Sequence, residues 1–181
     1  MDESTGLILK ALQYAAEKHS SQRRKDTQGS PYINHPIEVT EILWRIGEVR
    51  DTALLLASIL HDTIEDTDAT PEEIKAKFGE EVLSIVLEVT DDKNLLKVVR
   101  KQRQVETAPH KSPKAKMLKV ADKISNVQDI ISTPPKDWSL ERRQEYVLWS
   151  ERVVAGLRGV NQKLEYYYDD LLASGKRILG I

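Results

Sequence analysis

The segment that most restricts this chain is Ala53-Leu54-Leu55-Leu56-Ala57-Ser58-Ile59-Leu60, which is apolar on nearly every side and runs straight into His61-Asp62 and then Glu65-Asp66. A helix that is apolar all round belongs in an interior, so other elements must wrap it. Glu65 and Asp66 follow His61 and Asp62 at i+4, one helical turn on. Burying that much ionisable chemistry costs roughly several kcal/mol per unpaired group, and a bound cation is the simplest compensation. His61 alone is either a ligand or a hydrogen-bonded core histidine. Asp62 is more telling, because a carboxylate directly beside a buried histidine has no packing rationale.

The chain has four histidines, His19, His35, His61 and His110. His35 lies in Tyr32-Ile33-Asn34-His35-Pro36, where Pro36 disfavours the α region for His35 and suits the first turn of a new helix, so the imidazole is expected just before a helix start. Downstream, Met117 to Asn126 brings Asp122 in on another apolar helical run. His35, His61, Asp62 and Asp122 thus form a mixed N/O set from three segments. Structural zinc sites rely mainly on cysteine, and the chain has none. The set suits Mn²⁺, Fe²⁺, Co²⁺ or Zn²⁺ with positions open to water and substrate. His19 and His110 receive no role.

Helical periodicity runs through almost the whole chain, with no sustained period-two alternation, repeat or low-complexity stretch. Leu7, Ala11, Tyr14, Ala15 and Lys18 mark a first helix ending at His19, and the polar segment 23–30 connects onward. Ile37, Thr40, Glu41 and Trp44 mark a second helix that Gly47 ends. Asp51 caps a third through His61. Thr70-Pro71-Glu72-Glu73 reads as a capping box with Pro at the first helical position, giving a short helix over 71–77 stopped near Gly79. Val82, Ile85, Val86 and Val89 mark the next. Residues 93–105 are charged on one side and apolar at Leu96, Val99 and Val105. Pro109 and Pro113 bracket a break before the Asp122 helix, which Pro134-Pro135 end, and 140–157 and 161–172 supply two closing helices. The expected fold is all-α, a single compact domain over residues 1–181.

Net charge is -2, from 27 basic and 29 acidic residues, so no global basic field suits nucleic acid. No apolar run approaches the roughly 18 residues of a membrane span, and Met1-Asp2-Glu3-Ser4-Thr5-Gly6 is acidic and polar rather than a signal peptide. A cytoplasmic location is the default expectation.

Four blocks in order carry a family resemblance: Arg23-Arg24-Lys25-Asp26, Gly29 to Pro36, Leu60-His61-Asp62-Thr63-Ile64-Glu65-Asp66-Thr67, and Lys119-Val120-Ala121-Asp122-Lys123-Ile124-Ser125-Asn126. They resemble the signatures of HD-domain phosphohydrolases, and within that superfamily the (p)ppGpp hydrolase domain of RelA/SpoT proteins, in particular its small stand-alone animal branch. The resemblance implies an HD-domain helical fold with a metal site between helices, in which His35, His61, Asp62 and Asp122 hold one Mn²⁺ or another divalent ion. The bacterial relatives carry a synthetase domain and regulatory domains for which 181 residues leave no room, so synthesis is not expected. Some bacterial homologues have lost the His-Asp doublet and with it hydrolysis, whereas His61-Asp62 and Glu65-Asp66 are intact here, so the resemblance implies a working hydrolase.

Phosphate ester hydrolysis needs an activated water, neutralised non-bridging oxygens and help for the leaving group. One of Glu65 and Asp66 would accept the water's proton while the other orients it or protonates the departing ribose oxygen. Arg24 and Lys25 resemble the family's nucleotide-contacting basic pair, consistent with arginine stacking and paired hydrogen bonding. Tyr32 is placed to pack against base or ribose, and Asn126, one turn after Asp122, to bond ribose or phosphate. Lys97, Arg142 and Tyr146 resemble further pocket residues. Lys93, Lys97, Arg100, Lys101 and Arg103 are expected to form an anion-attracting rim. The implied activity is removal of the 3′-pyrophosphate of (p)ppGpp, giving GDP or GTP. Two alternatives stand beside it: removal of the 2′-phosphate of NADPH at the same site, and a non-enzymatic nucleotide-binding helical module. A nucleoside 5′-monophosphatase of another HD branch is disfavoured by the Glu65-Asp66 and Arg24-Lys25 matches.

Overall fold

The computed structural model describes residues 3–181; Met1 and Asp2 of the polar N-terminal stretch lie outside them. The described residues form ten α-helices: α1 (Glu3–Lys18), α2 (Asn34–Arg45), α3 (Thr52–Leu60), α4 (Thr63–Asp66), α5 (Pro71–Phe78), α6 (Glu80–Val89), α7 (Lys97–Thr107), α8 (Pro113–Ser132), α9 (Leu140–Ala155) and α10 (Gln162–Leu179), with a 3₁₀ turn at Ala108–His110. The only β pairing among them is an isolated antiparallel bridge, Arg23 to Pro31. No described helix is long and apolar enough to cross a membrane.

Two helices are central. Residues Leu54 to Leu60 of α3 are all buried, and α1, α2, α6 and α8 pack around them. Full burial of one such leucine side chain is worth about 1.5–3 kcal/mol, so this helix anchors the core. It starts where the Asp51 carboxylate accepts from the Leu54 amide at 2.8 Å. The second, α8, starts at the Ser112 cap and packs on α2, α3, α6, α9 and α10. Its contact with α10 is close enough that a Cβ on Gly175 would meet Ile131 Cδ1 at 2.8 Å, so a larger residue there requires the Ile131 side chain to shift. α3 delivers His61-Asp62 at its C-terminal end and α8 carries Asp122 in its middle.

The capping box is present at Thr70, and Gly79 (φ 93°) joins α5 to α6. Four expectations change. α2 begins at Asn34, which puts His35 and Pro36 inside its first turn rather than before it. The turn is nucleated by Asn34 and His35 amides donating to Pro31 and Tyr32 carbonyls, and the N–H that Pro36 lacks is one a first turn leaves unpaired anyway. Three of the four positions that mark α2 in sequence, Ile37, Glu41 and Trp44, are exposed, while Val39, Ile42 and Leu43 are buried. In α7 nothing is fully buried, Leu96 is 73% exposed, and of the expected apolar positions Val105 packs on the core. Finally, α10 extends to Leu179, beyond the expected end at Leu172.

Candidate metal centre and nucleotide pocket

One ligand atom each from His35, His61 and Asp62 lies within 4.8 Å of the other two. Both rings are buried and each is oriented by its other nitrogen. His61 Nδ1 donates to the Ser58 carbonyl at 2.8 Å, an i−3 contact that the end of α3 supplies. His35 Nδ1 lies 3.0 Å from Ser125 Oγ, whose hydroxyl donates to Glu38 at 3.1 Å; Ser125 must therefore accept from His35. In their neutral form both imidazoles thus present an Nε2 lone pair to the cluster, the tautomer that metal ligation requires. His61 Nε2 is buried with no hydrogen bond, although Asp62 Oδ2 is 3.1 Å away. An orphaned buried lone pair beside carboxylates fits a divalent cation, and the three residues form a divalent-metal-binding cluster.

Asp62 occupies the cap position of α4 yet makes no cap hydrogen bond. Its carboxylate turns inward, where the Tyr32 hydroxyl donates to Oδ2 at 2.5 Å. Asp122 Oδ1 is 3.3 Å from His35 Nε2, so α8 brings the fourth expected residue to the cluster's edge. Its carboxylate also accepts from Asn126 (2.6 Å) and Lys123 (3.0 Å). Burial opposes the charged forms of both acids, but His61 and His35 beside Asp62, and Lys123 beside Asp122, outweigh it and hold them below the usual carboxylate range. Burial likewise opposes a charged His61, and Asp62 outweighs it, raising the ring to about 9 on protein charges alone.

The cluster opens into a cavity of about 400 Å³ whose lining includes Arg24, Lys25, Tyr32, His35, Asp66 and Asn126. The loop carrying Arg24 and Lys25 is held by Asp26, whose Oδ1 accepts from the amides of Gln28, Gly29 and Ser30, and by Arg24 N donating to the Ser30 carbonyl. Arg24 is ion-paired with Asp129 at the cavity wall. An adjoining cavity of about 580 Å³ shares Trp138 and Tyr146 with the first and is lined by Glu65, Lys97, Arg100, Lys101 and Arg142. Lys97 is pulled down first by burial and then by Arg142, Lys25 and Arg100, which registers the positive field gathered there. Of the expected rim, Arg103 is separate and faces another hollow beside Thr107 and Lys111.

Glu65 and Asp66 were expected on one helical run with His61-Asp62. The chain instead turns at His61-Asp62 and restarts as α4, and the two acids diverge. Asp66 lines the cavity at the cluster, ion-paired with Lys93 and accepting from Gln22 at 3.1 Å. Glu65 lines the adjoining cavity, accepts from the Asp91 amide at 2.8 Å, and is raised from its ordinary value by burial. Successive helical residues differ by about 100° in direction, which accounts for the split. Tyr32 does more than the expected stacking, since its hydroxyl is committed to Asp62 and its ring lies on His19, centroids 4.8 Å apart. Asn126 holds Asp122. Sequence reading missed Gln22, Lys123, Ser125 and Trp138. Ser125 and Lys123 sit within one turn of Asp122 and were open to the same spacing argument; Trp138 lies in a loop with no periodicity to mark it.

Residues 11–150 match the HD domain family profile. The guanosine-3′,5′-bis(diphosphate) 3′-pyrophosphohydrolase MESH1 of Xenopus tropicalis is 52% identical over 171 residues, covering 94% of this chain and 96% of that protein. The human protein of that name is 50% identical over 165 residues, 91% of this chain and 92% of that one. A solved structure described as a metazoan orthologue of SpoT that hydrolyses ppGpp and plays a role in starvation responses superposes with a TM-score of 0.91 at 45% identity, covering 93% and 94% of the two chains. The fold and the cluster place this protein among the HD-domain metal-dependent phosphohydrolases. Within that class the chain belongs to the Mesh1/SpoT family.

Proposed function

We propose that this protein removes the 3′-pyrophosphate of guanosine 3′-diphosphate 5′-di- or triphosphate, with Mn²⁺ at His35, His61, Asp62 and Asp122. The observation that carries the proposal is the pair of Nε2 lone pairs and the Asp62 carboxylate opening into a cavity rimmed by Arg24 and Lys25. Its relatives named as ppGpp pyrophosphohydrolases match over nearly the whole chain. A divalent ion there supplies Lewis-acid polarisation of a phosphoryl oxygen and acidifies water.

The chain's own groups do the rest. Asp66, on the cluster side, accepts the proton of the attacking water as its oxygen bonds to the phosphorus next to the ribose. The bond from that phosphorus to the 3′ oxygen breaks, leaving a ribose hydroxyl and pyrophosphate. Glu65, raised by burial, suits proton delivery to the departing oxygen. Lys25, Lys97 and Arg142 hold substrate phosphates, Tyr146 and the Arg24 guanidinium border the nucleotide, and Asn126 keeps Asp122 aligned.

A second reading is favoured by one feature: the two cavities adjoin through Trp138 and Tyr146, giving room for a dinucleotide such as NADPH with its 2′-phosphate at the cluster. The test incubates wild type and Lys25→Ala with ppGpp, NADPH and a nucleoside 5′-monophosphate, with Mn²⁺ present and phosphate and pyrophosphate measured separately. Pyrophosphate from ppGpp is expected, with Lys25→Ala raising KM more than it lowers kcat. Turnover confined to the monophosphate would reject both readings.

A further inference from the structure

Asp66 is held from behind by a short chain of side chains that begins at a buried histidine. Gln22 Nε2 lies 3.1 Å from Asp66 Oδ2, and Gln22 Oε1 lies 2.6 Å from His19 Nδ1. A carboxylate only accepts hydrogen bonds, so the Gln22 amide must turn its NH₂ toward Asp66 and its oxygen toward His19. That oxygen also only accepts, so His19 must carry its proton on Nδ1. The remaining nitrogen, His19 Nε2, is buried and makes no hydrogen bond. His19 is 2% exposed, sits at the end of α1 and packs on Tyr32, so its ring cannot swing away.

We infer that Gln22 is a positioning residue for Asp66, and that His19 acts through Gln22 by fixing which end of its amide faces the carboxylate. The inference rests on Asp66 being the proton acceptor of the reaction. Asp66 then receives one donor on each oxygen, Gln22 on Oδ2 and Lys93 on Oδ1. An ionised carboxylate has about four acceptor sites, so two remain for the water. One donor on each oxygen fixes the plane of the carboxylate. A glutamine turned the other way would set an oxygen against the carboxylate and push Asp66 off its line. The Gln22 side chain bonds neither Tyr32 nor Asp62, whereas the His19 ring also packs on Tyr32, so Gln22→Leu is the variant that isolates the proton acceptor.

The test uses Gln22→Leu, His19→Leu and His19→Asn, the last carrying an amide N–H near the position of Nδ1. Gln22→Leu is expected to lower kcat on ppGpp by about tenfold, part of the roughly 10²–10⁴-fold that a general acid or base supplies, with KM and Mn²⁺ binding little changed. His19→Leu should match it, and His19→Asn should recover most of the loss. In an Asp66→Asn background, Gln22→Leu should cost nothing further, because the two act as one unit. Unchanged kcat in Gln22→Leu, or full additivity with Asp66→Asn, would overturn the inference while leaving hydrolysis of ppGpp intact. A readout independent of turnover is imidazole ¹⁵N NMR of His19, assigned by its loss in His19→Asn. The Nδ1–H tautomer is expected in the wild type; Nε2–H there would overturn the hydrogen-bond order whatever the substrate proves to be. A wild type that hydrolyses no ppGpp but shows the Nδ1–H form would remove the proton-acceptor role of Asp66, and with it the catalytic part of the inference.

Discussion

Tyr32→Phe removes one oxygen atom and tests how the cluster is held. The lost hydroxyl is the 2.5 Å donor to Asp62 Oδ2; the remaining neighbours of that oxygen are His61 Nε2 at 3.1 Å and His35 Nε2 at 3.8 Å, both needed as lone pairs for a cation. The phenyl ring keeps the stack on His19, so packing is retained. A hydrogen bond to a charged group contributes about 1.5–3 kcal/mol. Much of it lies in this pocket, where burial and then Asp62 raise the Tyr32 hydroxyl well above its ordinary value and keep it a donor. Allowing for relaxation, metal-free Tyr32→Phe should lose about 1–2 kcal/mol, a Tm drop of about 2–8 °C for a domain of this size. Asp62 freed to rotate should weaken Mn²⁺ binding about 10–100-fold, the usual cost of losing a group that orients a ligand. Calorimetric titration of metal-free protein with Mn²⁺, with thermal unfolding at zero and saturating Mn²⁺, reads both quantities. Wild-type affinity and Tm in Tyr32→Phe would refute the view that this hydroxyl orients Asp62.

Asp122→Ala should lose Mn²⁺ and activity together and, because it strands the buried Lys123 ammonium, part of its stability; elemental analysis showing wild-type metal content would exclude Asp122 as a ligand. Glu65→Gln and Asp66→Asn should keep the metal and lose about 10²–10⁴-fold in turnover, which steady-state kinetics against metal content will decide. Leu60→Ala, deep in the core, should cost about 2–5 kcal/mol in denaturant unfolding; under 1 kcal/mol would contradict the central place given to α3. Glu73 has its pKa lowered from 4.5 to about 2 by the Tyr14 hydroxyl, then by Lys18 and the Thr70 amide. Its contribution to stability is therefore full above about pH 4.5 and lost as pH falls toward 2. Acid unfolding of Glu73→Gln should be shallower over that window, and curves of equal slope would dismiss the linkage.

The sequence by itself determined the elements and the chemistry. A capping side chain or a proline acts within one turn, so Asp51 and Thr70-Pro71 mark helix starts that local physics is enough to enforce. The apolar run at 53–60 could only be interior, and the family blocks contain His35, His61 and Asp62, the three residues that the fold gathers into one cluster. Tertiary structure decided what depends on distance between segments. That includes which nitrogen of His35 faces the cluster, fixed by Ser125 from 90 positions away, and the pairing of Tyr32 with Asp62. It includes the division of the adjacent residues Glu65 and Asp66 between two cavities, which depends on the elements packed against each side of α4. It also includes the surroundings of His19, whose partners Gln22 and Tyr32 lie on a loop that carries no periodicity. Periodicity reports which face of a helix is apolar; the direction of a buried polar atom is set by the partner that satisfies it, and packing chooses that partner.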